Sequence, residues 1–184
     1  QDILNIEKTQ YDNVNTWSDA EIDAKLKEKY GDKADAVVTE FLKAYPNKKK
    51  GDALYIDTMI RNPMRKIMTH KADQNGAPVY AYVFTYDAPV MNGVYMSYHT
   101  SEIPFVFHNV DLVSDCYGGS QDAYDLQDVM ASAWVNFATT GDPNGDNVPA
   151  WSTYTDDNKS TMVFDTTSGE RVGYDAELQE LISQ

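Results

Sequence analysis

The sequence predicts an α/β fold made mostly of helices with only the last strands of a sheet, and three observations predict it. Apolar residues recur at helical spacing in one stretch after another. Only two short runs, 78–86 and 161–165, have the Val, Tyr and Phe content of strands. Two strands make a thin sheet for 184 residues, so the rest of the sheet is expected to lie outside this chain.

The elements follow in order. Ser18-Asp19-Ala20-Glu21 has capping-box spacing, and Ile22, Leu26 and Tyr30 then recur along one helix that Gly31 stops. From Asp32 a second helix carries Ala34, Val37, Val38, Phe41, Leu42 and Tyr45 up to Pro46, giving a helical hairpin. Lys48-Lys49-Lys50 reads as a solvated turn, after which Asp52 is placed to cap a helix bearing Ile56, Met59 and Ile60. Pro63 restarts a helix to Ala72 with Met64, Ile67 and Met68 on one side. Asn75-Gly76 signals a turn, and the near-continuous apolar run 78–86 suits an interior strand covered on both faces. A loop containing His99 comes next. The clearest helix runs from Asp122 to Thr140, with Leu126, Val129, Met130, Ala133, Trp134 and Phe137 on one face and Gly141 as its stop. A short strand over 161–165 and a helix over 174–182 close the chain.

Charge excludes several classes of function. The net charge is −14, which repels phosphate backbones, and no Lys/Arg cluster is interleaved with aromatics, so nucleic acid is not an expected partner. The charge is uneven: residues 1–71 are net +1 and residues 72–184 net −15. The hydrophobic fraction of 42% with 12% aromatics is too high for a disordered chain. No apolar run approaches the ~20 residues of a membrane span. The single cysteine, Cys116, excludes an internal disulfide and a Cys-based zinc site. Asp142 to Thr153 begins like a calcium loop but has Asn147 at the sixth position and Thr153 at the twelfth, so a turn is the expectation. No cofactor or metal is implied, and cytoplasmic and exported locations both stay open.

Three histidines are available for chemistry. His70 sits near a helix end, where a cation complements the dipole, and His108 reads as a turn residue. His99 lies in a loop after a buried strand, where functional groups concentrate.

The segment His99-Thr100-Ser101-Glu102-Ile103-Pro104-Phe105-Val106-Phe107-His108-Asn109 resembles the surroundings of the catalytic histidine in type-B carboxylesterases. Downstream, Ala133-Trp134-Val135-Asn136-Phe137-Ala138-Thr139-Thr140-Gly141-Asp142-Pro143-Asn144 is similar to that family's helix and Gly-Asp-Pro-Asn exit, and Met162-Val163-Phe164-Asp165 to its last strand. Tyr30-Gly31-Asp32-Lys33-Ala34 and Ala44-Tyr45-Pro46 resemble bacterial members. The resemblance implies the C-terminal part of an α/β-hydrolase fold. Within it lie a helical region over about 18–73, a strand and histidine loop over about 78–110, and a helix with the last strand over about 121–184.

The resemblance further implies carboxylic-ester hydrolysis with His99 as general base, a role that suits an imidazole with an unperturbed pKa of about 6.5. Glu102, carried over by position, is either an acid supporting that histidine or an exposed carboxylate at a helix start. Leu4-Asn5-Ile6-Glu7 resembles the stretch before the family's catalytic glutamate, with Ile6 in the expected place and Glu7 one residue on. Glu7 is therefore either the triad acid or an ordinary exposed carboxylate. No serine lies in a G-x-S-x-G elbow; Gly118-Gly119-Ser120-Gln121-Asp122 lacks the second glycine and follows His99, against the family's Ser, acid, His order. The nucleophile is thus expected in an N-terminal remainder of the same hydrolase domain, the resemblance implies a small or medium carboxylic ester as substrate, and the isolated chain is expected to be inactive. Two rival readings stand beside this one: a non-catalytic cholinesterase-like binding or adhesion module, and an independently folding domain that only resembles an esterase.

Overall fold

A computed structural model describes residues 13–183. Helix α1, Asp19–Tyr30, begins at the expected capping box: Glu21 Oε2 accepts from the Ser18 N–H at 2.8 Å, and Ser18 Oγ accepts from the Glu21 N–H at 3.4 Å. A single 3-10 turn over Gly31–Lys33 leads into α2, Ala34–Ala44. Tyr45 then leaves helical conformation, as a residue preceding proline must. Leu26, Val37, Phe41 and Ala53 form one apolar cluster with Leu178, a residue of the last helix.

The segment after the hairpin departs from expectation. Residues Lys50–Tyr55 form a 3-10 helix and Ile56 is extended, so no α-helix carries Ile56, Met59 and Ile60. The cause is local: Asp57 Oδ1 accepts from the N–H groups of both Met59 and Ile60 at 2.9 Å, a side-chain alternative to helical bonding. Helix α3, Arg61–Asp73, starts two residues earlier than Pro63. Pro63 sits in its first turn, where the missing N–H leaves no bond unmade. Lys48 is no solvated turn residue. Its side chain is only 10% exposed, forms an ion pair with Asp87, and donates to the Thr85 carbonyl at 3.0 Å.

Strand β1 is shorter than the sequence suggests, Tyr82–Phe84, although Val79, Ala81 and Thr85 extend its hydrogen bonding to Tyr154, Met162 and Phe164. Two four-residue helices, α4, Ile103–Val106, and α5, Ser114–Tyr117, follow. Helix α6, Gln121–Thr140, is capped by Ser120 and ends where Gly141 turns left-handed and donates to the Phe137 carbonyl at 2.8 Å. Strands β2, Thr161–Phe164, and β3, Gly169–Arg171, and helix α7, Ala176–Ser183, complete the described chain.

The sheet order is β1-β2-β3, with β1 parallel and β3 antiparallel to β2. Central β2 is buried throughout. Strand β1 was expected to be interior. Among the described residues it forms the sheet edge, with Tyr82 37% exposed, because only one neighbour is present. Within Asp142 to Thr153, Gly145 and Val148 pair across a tight turn at Asp146-Asn147. The Asn144 amide clamps Trp151 by accepting from its N–H at 2.8 Å and donating to its carbonyl at 2.9 Å. No helix among the described residues is long and apolar enough to cross a membrane.

Candidate active site

The second apolar core underlies the His99 loop. Phe105, Val110, Tyr117, Leu126, Met130 and Phe164 are buried together between the sheet and α6. The Phe105 ring lies 5.0 Å from that of Tyr117 and 5.1 Å from that of Phe84, tilted or edge-on, as aromatic quadrupoles prefer. The Gln127 side chain of α6 accepts from the buried Val110 N–H at 3.0 Å, satisfying the backbone where the loop crosses the helix.

On this platform residues 98–101 make a tight turn, closed by the Ser101 N–H donating to the Tyr98 carbonyl at 3.0 Å. His99 and Thr100 form its exposed tip. Among the described residues the His99 ring has no hydrogen bond or ion pair. Thr100 has φ +71°, a left-handed conformation that a β-branched side chain rarely adopts. The turn leads into α4, whose first turn contains Pro104.

Glu102 takes the N-cap position of α4 and is half-buried; its carbonyl accepts from Phe105 and Val106 at 3.0 and 3.1 Å. Its carboxylate faces tyrosines: burial first and Glu102 second push the Tyr82 hydroxyl above its ordinary pKa. For Tyr117 burial is again the largest cause, followed by Tyr98, with Glu102 adding a smaller upward push. No hydrogen bond joins Glu102 to His99 among the described residues. Glu7 lies outside the described residues.

The tyrosines and methionines over 91–98 mostly pack. Val94 and Met96 are buried with Val14, and the Tyr98 hydroxyl meets that of Tyr117 at 3.2 Å. A cavity of about 180 Å³ between α2 and β1 is lined by Phe41, Lys48, Arg61, Phe84, Ser97 and Gln179 among others, and His99 is not one of its lining residues. Tyr117 carried no sequence signal, because its partner Ser101 is 16 positions away.

Chemically, the arrangement is an exposed imidazole at the tip of a turn whose base is fixed by hydrogen bonds. A carboxylate waits three residues further along the chain. An exchangeable proton could be taken up here by His99 if a hydroxyl were brought to within ~2.6–3.2 Å.

The comparisons with known proteins agree with one another. The family model described as "Carboxylesterase family" matches residues 1–180. Carboxylesterase 5A of Felis catus is 39% identical over 87 residues, covering 44% of this chain and 16% of its own. Phenmedipham hydrolase of Pseudarthrobacter oxydans is 30% identical over 131 residues, covering 65% of this chain and 27% of its own. Among solved structures, an esterase from anaerobic Clostridium hathewayi that can hydrolyze aliphatic aromatic polyesters is 34% identical with a TM-score of 0.85, covering 93% of this chain and 34% of that one. The chain therefore spans about a third or less of the length of these relatives. These neighbours are α/β-hydrolase carboxylesterases, and the many helices and three-stranded sheet of this chain are consistent with the expected C-terminal part of that fold. By a family match over nearly its whole length, the chain belongs to the carboxylesterase family.

Proposed function

We propose that this chain is the C-terminal portion of a serine-dependent carboxylesterase and supplies the general base, His99, to an active site completed by an N-terminal remainder of the same domain. The observation that carries the reading is the His99 turn: an exposed imidazole, unpartnered among the described residues, on a turn locked at both shoulders. It sits inside the segment that resembles the family's catalytic-histidine motif.

In this mechanism His99 takes the proton of a serine hydroxyl as the serine oxygen attacks the ester carbonyl, and donates it to the departing alkoxide as the tetrahedral intermediate collapses. It then takes a proton from water that hydrolyses the acyl-enzyme and returns that proton to the serine. The serine and the oxyanion-hole donors come from the remainder. Glu7 is the candidate acid for orienting the imidazole. Glu102, held at the start of α4, places negative charge beneath the turn. The substrate is a small or medium carboxylic ester, and no nucleic acid or cofactor takes part.

The remainder docks where the described fold is open. Among the described residues the outer edge of β1 has no strand partner and offers its backbone groups to another strand. Ile103, Phe107 and Leu112, exposed at 44, 71 and 76%, provide an apolar face beside the His99 turn.

The test is hydrolysis of a short-chain aryl ester by the longer protein carrying this chain and by the chain alone. Turnover confined to the longer protein is the expected result. Equal turnover by the isolated chain would contradict the division of the site, and none by either would favour a binding module.

A further inference from the structure

Resting on the reading of His99 as the base, the structure assigns Tyr117 as a positioning residue, its buried hydroxyl clasping both shoulders of the turn that carries His99. Tyr117 ends α5 and is 1% exposed. Its hydroxyl donates to the Ser101 carbonyl at 2.8 Å. A phenol has one proton, so toward the Tyr98 hydroxyl, 3.2 Å away, Tyr117 is the acceptor and Tyr98 the donor. Tyr98 and Ser101 are the first and last residues of the turn and are also bonded to each other. One hydroxyl thus ties down both sides of His99-Thr100.

Three further observations fit this role. Thr100 is left-handed, and such a residue persists only where its surroundings over-determine it. The clasp supplies that constraint. Ser101 is buried and its own Oγ has no partner among the described residues, so the turn is held there through the carbonyl that Tyr117 binds. The Tyr117 ring cannot swing away, because it packs against Phe105 at 5.0 Å and Tyr86 at 6.4 Å. Burial also pushes its hydroxyl far above the ordinary tyrosine range, so it remains a donor throughout the pH range of ester hydrolysis.

The consequence concerns geometry. A general base works within ~2.6–3.2 Å of the proton it abstracts, and a misplacement of ~1 Å can cost ~100-fold in rate. Without the Tyr117 hydroxyl, the Ser101 carbonyl loses its donor and Thr100 is free to leave the left-handed region. The imidazole then samples positions away from the serine, a loss of orientation rather than of substrate contacts.

The experiment uses the longer protein and a short-chain aryl ester, comparing wild type with Tyr117→Phe, Tyr98→Phe and His99→Ala. Tyr117→Phe is expected to lower kcat by about 10- to 100-fold with KM within about twofold, and to displace the acid limb of the pH profile of kcat/KM. Tyr98→Phe, which spares the bond to Ser101, is expected to show a smaller fall in kcat alone. Turnover within about twofold of wild type in Tyr117→Phe, beside an inactive His99→Ala, would overturn the clasp and leave the base assignment standing. A fall in kcat with a matching change in KM and an unmoved pH profile would indicate general loosening and also overturn it. Undiminished turnover in His99→Ala would remove both readings. Should Tyr117→Phe fail to fold, Tyr98→Phe decides: unchanged kcat there counts against the clasp.

Discussion

A carboxylate in the helical layer and an imidazole over the sheet core are placed in opposite ways. Between α2, α3 and α7 the Asp175 carboxylate is fully buried and fully engaged. Arg61 donates to it twice, at 2.7 and 3.1 Å, while Tyr45 and Gln179 each donate at 3.2 Å. Burial alone would depress the Arg61 guanidinium, but Asp175 more than offsets this and raises it. Over the sheet core, by contrast, the His99 side chain is exposed and unpartnered among the described residues, while its backbone is held tightly. The buried carboxylate organises the elements around it, whereas the exposed imidazole organises nothing among the described residues and is the group proposed for catalysis.

Breaking the helical side should give the largest loss of stability. Asp175 sits at φ +48°, which asparagine tolerates, so Asp175→Asn removes charge without backbone strain. It leaves the Arg61 charge buried and unpaired, an error that costs about 3–5 kcal/mol. A marked fall in melting temperature of the longer protein is expected, and an unchanged value would mean that water reaches Arg61.

A second contrast lies in pH response. Hydrogen bonds from Ser160 and Ser152 hold the Glu170 carboxyl below its ordinary value of 4.5. Its folded pKa is depressed, so its contribution is present above that ordinary value and is lost as pH falls through the folded one. Asp52 and Asp87 are pushed up, by burial first, and gain stability over falling pH. Glu170→Gln should therefore flatten the acid limb of a stability profile taken below about pH 4.5. Superimposable acid limbs in wild type and variant would remove Glu170 from that account.

The smallest effect is expected at the sheet core's own surface pair. His108 Nε2 and Asp128 Oδ1 are 2.6 Å apart, yet both side chains are more than half exposed. His108→Ala should change stability by no more than about 1 kcal/mol, measured by urea midpoint at pH 6. A larger loss would make the turn after α4 more important to folding than its exposure indicates.

Local features were legible in the sequence and distant pairings were not. The Ser18–Glu21 box, the Gly141 stop and helix α6 depend on residues within a few positions of one another, and all three stand. Strand β3 went unseen because Gly-Glu-Arg has no strand preference and owes its conformation to pairing with β2. Lys48 was read as solvated because its partners Thr85 and Asp87 lie 37 and 39 residues away. At the site, His99 stood out through its neighbours in sequence, whereas Tyr117 became visible only when the fold brought it beneath the turn.

The most direct test of the central claim is the turnover of a short-chain aryl ester by the longer protein and by its His99→Ala variant. A general base at His99 predicts a collapse of kcat by at least about 10³-fold with the variant still folded. Equal turnover by the two proteins would contradict it.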